Sequence, residues 1–208
     1  MTEISSQERD YLPGMGKHYL LPLYEVLHRV SGLGRVHDDM VALAGLRPGH
    51  RVLDVGCGTG NLLRATGRRH PEVELFGVDP DLKMLAKAER KLRGAGLKAR
   101  LDRGFAQELA FPADSFDAVF SSLMLHHLDT PSKDEMLAEV RRVLRPGGVL
   151  VLADAVFHDH GRAKEHLIDN VGDAVTKRIA AAGFTVEPTR RRKLRMFGEV
   201  GIEVARVH

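Results

Sequence analysis

Apolar residues along the 208-residue chain come in two alternating rhythms. Short continuous runs occur at Val52–Val55, Glu72–Asp79 (EVELFGVD), Lys98–Leu101, Asp117–Leu123 and Val149–Ala153. Such runs suit strands covered on both faces. Between them the spacing changes to three and four. Asp81–Leu92 places Leu82, Leu85, Ala88 and Leu92 on one helical face, and helices are also predicted from Asn61, over Asp134–Leu144 and over Val171–Ala182. Turn residues punctuate the elements: RPG at Arg47–Gly49, Pro71, and RPGG at Arg145–Gly148. Strands that alternate with helices across short turns make an α/β protein whose parallel sheet is wound on both faces.

The ends are less regular. The first ten residues are polar, and Tyr11–Gly34 holds an apolar pattern cut by Pro13, Gly14, Gly16 and Pro22. A short helix over Leu21–Val30 and a second over Val36–Ala44 are expected. Residues 1–45 thus form a helical segment able to cover a site as a lid, and residues 46–208 the sheet core of the same single domain. Phe184–Val186 and Val200–Val207 read as two further strands with no helix between them, so the seven-stranded, mainly parallel sheet should close with an antiparallel C-terminal hairpin strand. Arg190–Arg195 (RRRKLR) would be the hairpin's connection, either a solvated tip or a grip on an acidic substrate or membrane surface.

Composition narrows the partners. A net charge of +3 is too weak for a nucleic-acid-binding field. From Gly183 onward there are six basic side chains against three acidic ones, so the excess is local. One cysteine, Cys57, excludes an internal disulfide and predicts a reducing, cytoplasmic setting. No apolar run approaches the roughly 18 residues a membrane helix needs, so no membrane insertion is expected. MTEISSQERD has no signal-peptide pattern.

The chemistry concentrates in RVLDVGCGTG, Arg51–Gly60. Three glycines, Gly56, Gly58 and Gly60, stand where the first strand hands over to a helix. They allow positive φ and close approach to a ligand, while the free N–H groups of the helix point at whatever lies above the turn. The second strand ends in Asp79, nineteen residues after Gly60, where a carboxylate can accept both ribose hydroxyls of a nucleoside. A dinucleotide-binding GxGxxG fails because Asn61 holds its third position, whereas GxGxG is complete through Gly60.

VLDVGCGTG, Asp79, LAFPADSFDAVFSSLMLHHL and RVLRPGGVLVLAD together resemble the class I S-adenosylmethionine-dependent methyltransferases, most closely the group around the ubiquinone and menaquinone C-methyltransferases. The resemblance spans about Arg47–Asp154 and implies a Rossmann-like fold, S-adenosylmethionine as cofactor and a small-molecule acceptor rather than nucleic acid. It implies that the turn Gly56, Cys57, Gly58, Thr59 and Gly60 underlies the methionine and ribose, and that Asp54 helps place the ammonium group. Asp79 would hold the ribose, Pro80 and Met84 would pack near the adenine, and Ala106 and Gln107 would face its polar edge. Ser121, Ser122 and Leu123 would border the methyl group, and Tyr24 would touch the cofactor carboxylate or pack in the core. One departure is Phe105, which stands where relatives carry an acid for the adenine amino group.

Alkyl transfer from a sulfonium needs alignment, exclusion of water and management of one proton. His126 and His127 follow the fourth strand, as a base or as packing beside the cofactor. Asp154, His158 and His160 could ligate a metal, but HDH in a polar loop reads better as solvated, and no metal is expected. Cys57 reads as filler in the turn. A single cysteine is too few for arsenic chemistry, and SSLM replaces the NPPY or DPPY signature of amino-methylating nucleic-acid enzymes. Only Phe157–Asn170 is available to cover an acceptor after the fifth strand, so cover comes from the N-terminal helices or from a partner subunit, as in a homodimer, or else the site is open. A non-catalytic cofactor-binding subunit, or a nicotinamide-dependent oxidoreductase, are the alternatives.

Overall fold

The computed structural model describes residues 32–156, 173–194 and 198–208. Tyr24, the helix at Leu21–Val30, the proposed lid over Tyr11–Val30, the segment Phe157–Asn170 with His158 and His160, and Arg195 lie outside the described residues. The elements run α1 (Leu33–Leu43), β1 (Arg51–Val55), α2 (Asn61–Arg69), β2 (Glu74–Asp79), α3 (Leu82–Gly94), β3 (Ala99–Arg103), β4 (Phe116–Ser122), a 3₁₀ turn (Leu125–His127), α4 (Thr130–Val143), β5 (Leu144–Val156), α5 (Ala174–Ala181), β6 (Thr185–Val186), β7 (Arg190–Leu194) and β8 (Gly198–Arg206).

All eight strands form one sheet, in the order β3-β2-β1-β4-β5-β8-β6, with β7 also paired to β8. The first five are parallel neighbours, and β8 runs antiparallel to β5. Period-two alternation sends side chains to opposite faces. Leu53, Val119, Leu150 and Leu152 join Met136, Leu137 and Val140 of α4 and Ile179 of α5 in one apolar cluster. Val52, Ala118, Phe120, Val149, Val151 and Ala153 join Val36 and Met40 of α1 and Leu62 of α2 in another. Two covered faces explain why these strands read as unbroken apolar runs.

Helix starts follow side-chain chemistry. Asp81 caps α3 by accepting the Lys83 N–H at 2.7 Å, and Asp129 caps α4 by accepting the Ser132 N–H at 2.9 Å. At the other end of the strands, Asp117 accepts the Arg51 N–H at 2.7 Å and the Arg145 guanidinium at 2.8 Å, which locks the entries of β1, β4 and β5 together.

Two differences from the sequence pattern stand out. RPGG is no free turn: it is an irregularity inside β5, where Phe116 pairs with Leu144 but Ala118 with Val149. The basic run is also no hairpin tip. Arg190–Leu194 is a strand registered on β8 from Arg190↔Ile202 to Leu194↔Gly198. With β6 it makes one interrupted strand, since the Glu187 N–H bonds the Val204 carbonyl at 2.8 Å between them. The sixth expected strand, Phe184–Val186, is therefore longer than the sequence pattern and present in two pieces, while the seventh is the unbroken β8. The charged side chains of β7 suit a sheet edge, which has no second partner strand and faces water. Arg192 pairs with Asp39 of α1, and Arg191 with Asp173 and Glu199.

Candidate functional site

The glycine turn sits over the carboxyl ends of β1 and β2. The Gly56 and Cys57 N–H groups both donate to the Val78 carbonyl, at 2.8 and 3.0 Å, which folds the chain back sharply from β1. Gly56, Gly58 and Gly60 have φ of 73°, 52° and 73°, so all three occupy the left-handed region the sequence called for. A β-carbon on Gly56 would stand 2.5 Å from Cγ of Met124, and one on Gly60 3.1 Å from Cβ of Ala88. The segment after β4 and the face of α3 therefore both close directly onto the turn.

Asp79 fixes the loop from below. One oxygen accepts the Gly58 N–H at 2.8 Å and the other the Asp81 N–H at 2.9 Å. Each carboxylate oxygen can accept more than one bond, so capacity for a ligand remains. Burial pushes the Asp79 carboxyl above its ordinary value, against the pull of those two N–H groups. Asp54 is only 2% exposed, and its Oδ1 has no hydrogen-bond partner among the described residues. Burial, and then the neighbouring Asp79, push its pKa up to about 8. Two buried carboxylates with spare acceptor capacity, beside a helix that begins at Gly60 without a side-chain cap, form a seat for a ligand that is cationic and rich in hydroxyls.

Lys91 of α3 was not legible as part of this arrangement. Its ammonium donates to Thr59 at 2.9 Å and to Asn61 at 2.6 Å, tying the end of the turn to α3. Asn61 thus has a local job where the dinucleotide pattern would have glycine. The Cys57 side chain is buried with Leu63, Leu75, Leu85 and Leu92, and burial pushes its thiol well up. Pro80 and Met84 are half-buried at the edge of the site. Ala106 is in the core, while Phe105 and Gln107 are half-buried in a tight turn closed by the Glu108 N–H and the Phe105 carbonyl at 3.2 Å.

The end of β4 forms the opposite wall. Ser121 is buried and its hydroxyl lacks a partner among the described residues. Ser122 meets His37 of α1 at 3.1 Å. Leu123 takes φ of 53°, an uncommon conformation for leucine, and donates its N–H to the Ala153 carbonyl at 2.8 Å. That bend drops Met124 onto Gly56 and starts the 3₁₀ turn. His126 is held at its backbone N–H by Asp154 Oδ2, at 2.8 Å, and at its ring Nδ1 by Oδ1, at 2.5 Å. Asp154 is 3% exposed and also accepts the Ala155 N–H at 2.7 Å. His127 is exposed, its ring 4.1 Å from that of His126. Asp154 thus serves His126, a pairing across 28 residues that no local pattern announces.

The fold is Rossmann-like, and it gathers the glycine turn, Asp54 and Asp79 at the carboxyl ends of its strands, where open α/β sheets place their ligands. Comparison with known proteins makes this specific. The methyltransferase domain family matches residues 52–148, and the N-terminal family of anamorsin matches residues 105–194, a span without the glycine turn. An uncharacterised methyltransferase of Geobacillus kaustophilus is 36% identical over 59% of this chain and 55% of its own length. The ubiquinone/menaquinone biosynthesis C-methyltransferase UbiE of Cupriavidus necator is 29% identical over 89% of this chain and 82% of its own. Among solved structures, the [4+2]-cyclase SpnF superposes with a TM-score of 0.74 at 21% identity, covering 84% of this chain and 80% of that one, a likeness of fold. Over residues 52–148 the chain is thus similar to the methyltransferase domain family, and along most of its length to UbiE, while it spans about half the length of the uncharacterised Geobacillus methyltransferase. Among the described residues no helix is long and apolar enough to cross a membrane.

Proposed function

We propose that the protein transfers the methyl group of S-adenosylmethionine to a small-molecule acceptor bound above the carboxyl ends of β4 and β5. The observation that carries this reading is the orphaned Oδ1 of Asp54, buried beside Asp79 under the glycine turn. A buried carboxylate oxygen without a donor is costly, and a cationic ammonium supplies the missing partner. When bound, the cofactor supplies an electrophilic methyl on sulfur that departs from a neutral thioether. Asp54 orients the methionine end, Asp79 holds the ribose, and Gly56, Gly58 and Gly60 let the backbone approach both. Pro80 and Met84 flank the adenine, with Ala106 and Gln107 at its polar edge. Met124 and the Leu123 bend shape the wall where acceptor and methyl meet, close to Ser121 and Ser122, and exclude water there.

Calorimetry tests the reading. S-adenosylmethionine and S-adenosylhomocysteine should both bind, Asp54→Asn and Asp79→Asn should each weaken binding at least tenfold, and NAD and NADP should not bind. Binding of a dinucleotide in preference to adenosylhomocysteine would overturn it. Methyl transfer from radiolabelled cofactor to a panel of phenols, enols, amines and thiols then separates an enzyme from a cofactor-binding subunit.

A further inference from the structure

We propose that the cleft between β5, β7 and β8, floored by Glu203, is a subsite that takes a primary ammonium group carried by the small-molecule acceptor. The proposal rests on the methyl-transfer reading above for the identity of the guest, while the cleft itself is independent of the cofactor. Glu203 is 4% exposed. Thr189 Oγ1 lies 2.8 Å from Oε2 and 3.0 Å from Oε1, and the Thr176 hydroxyl of α5 donates to Oε1 at 3.1 Å. Each hydroxyl has one proton to give, so the two threonines fill two of the roughly four acceptor positions of the carboxylate. No ammonium or guanidinium bonds to Glu203 among the described residues. Arg191 instead meets Asp173 at 3.4 Å and Glu199 at 4.0 Å, and acts on Glu203 only through space. Burial accordingly pushes the Glu203 carboxyl up, and the hydroxyls bring it only part of the way back. A buried carboxylate held by neutral donors alone is a costly arrangement, which a cation relieves.

Strand register builds the cleft. Glu203 stands opposite Leu152 of β5, and Gly201 opposite Asp154. On the other side of β8, Arg191 of β7 stands opposite Gly201. The missing side chain at Gly201 leaves a gap beside the carboxylate: a β-carbon there would lie 3.2 Å from Cγ2 of Val156 and 3.8 Å from Oε1 of Glu203. Asp154, Val156, Thr189 and Arg191 wall the gap, which admits about one water-sized group. That size fits a primary ammonium and excludes a trimethylammonium. Two acids, against one guanidinium that already faces Asp173 and Glu199, make the space selective for a cation.

Register also sets the reach. Ser121 at the end of β4 pairs with Leu152, and Leu152 with Glu203, so two strand spacings, about 10 Å, separate Glu203 from the β4 wall where the methyl group is transferred in the reading above. The acceptor therefore carries its ammonium at that distance from the atom that is methylated. A nitrogen held as an ammonium keeps its protons and has no lone pair to offer the methyl carbon, so it is a handle and not the nucleophile. Glu203 touches no reacting atom and acts as a residue that determines which acceptor is chosen.

Titration of the full chain with n-butylamine, without cofactor, tests the cleft. Two-dimensional ¹⁵N–¹H spectra should show saturable shifts centred on Gly201, whose signal is assigned by its loss in Gly201→Ala. Saturation-transfer NMR on the probe then compares ligands and variants. n-Butanol and butyltrimethylammonium should each bind at least tenfold more weakly than n-butylamine. Glu203→Gln keeps hydrogen bonding to both threonines but removes the charge, and Gly201→Ala fills the gap. Each should weaken n-butylamine at least tenfold, with thermal unfolding confirming that the variant folds, and Gly201→Ala decides the matter should Glu203→Gln fail to fold. Turnover decides the use: an acceptor bearing a primary ammonium should exceed its deaminated analogue at least tenfold in kcat/KM, through KM rather than kcat, and Glu203→Gln should abolish that preference. No saturable n-butylamine signal in the wild type, equal binding of n-butanol, unchanged n-butylamine affinity in either folded variant, or no preference for the ammonium-bearing acceptor overturns the proposal. Failure of S-adenosylhomocysteine to bind would instead sink the reading of the cofactor site and leave the n-butylamine result standing.

Discussion

At Gly56 two constraints coincide, a φ of 73° and the side chain of Met124, whereas Gly58 has a φ of 52° and open space around an added β-carbon. Alanine at Gly58 therefore carries backbone strain alone, about 1–2 kcal/mol. Alanine at Gly56 carries that strain and must also displace Met124, which leads into the turn bearing His126. Calorimetric titration with S-adenosylhomocysteine should show Gly56→Ala losing at least tenfold more affinity than Gly58→Ala; equal losses would mean that Met124 yields freely. Cys57 lies in the same turn yet faces away from it, among the leucines between α2, α3 and β2. Its thiol is buried and pushed up, so it should resist alkylation by iodoacetamide at neutral pH in the folded protein and react within minutes in guanidinium. Fast labelling of the native chain would contradict the packing.

The secondary elements differ in how plainly they announce themselves. β1, β4 and β5 are buried on both faces, and their apolar runs were readable within a few residues of their ends. β7 was not, because a sheet edge lets four consecutive basic residues form a strand whose one deeply buried side chain is Leu194. The glycine turn and Asp79 were legible because local sequence carries their geometry. The His126–Asp154 contact was not, since it depends on the ends of two adjacent strands lining up in space. Stability should be distributed accordingly. Leu137 of α4 is fully buried in the larger core cluster, and Leu137→Ala should cost about 2–5 kcal/mol in urea unfolding. The Arg192–Asp39 pair that ties β7 to α1 is about one third exposed on each side, so a double-mutant cycle across it should return no more than about 1 kcal/mol.

Charge is divided between the two ends of the sheet, and this sets how the whole molecule responds to pH. At the strand entries, burial raises the Asp117 carboxyl, but the Arg51 N–H and Arg145 outweigh it and hold the group below its ordinary value. Glu139 is likewise held low, chiefly by its hydrogen bond from Arg142. Groups with depressed folded values contribute stability above their unfolded values and lose it as pH falls through the folded ones, so these carboxylates weaken the fold below about pH 4. At the strand exits the sign reverses. Asp54 is raised from 3.8 to about 8, so its contribution is complete below the unfolded value and is lost as pH climbs through the folded one. The unliganded protein should therefore be most stable on the acidic side of neutral, with a limb that declines towards pH 8. A bound ammonium favours the ionised form of Asp54 and removes the reason for that decline. Thermal unfolding between pH 4 and 9 should show the maximum moving towards neutral pH when S-adenosylhomocysteine is present, and cofactor affinity should tighten as pH rises towards 8. In Asp54→Asn the declining limb should flatten to the smaller slope left by Asp79, with or without ligand. Identical pH profiles for the free and the bound wild type would show that Asp54 does not ionise to meet the cofactor, and the seat under the glycine turn would need another explanation.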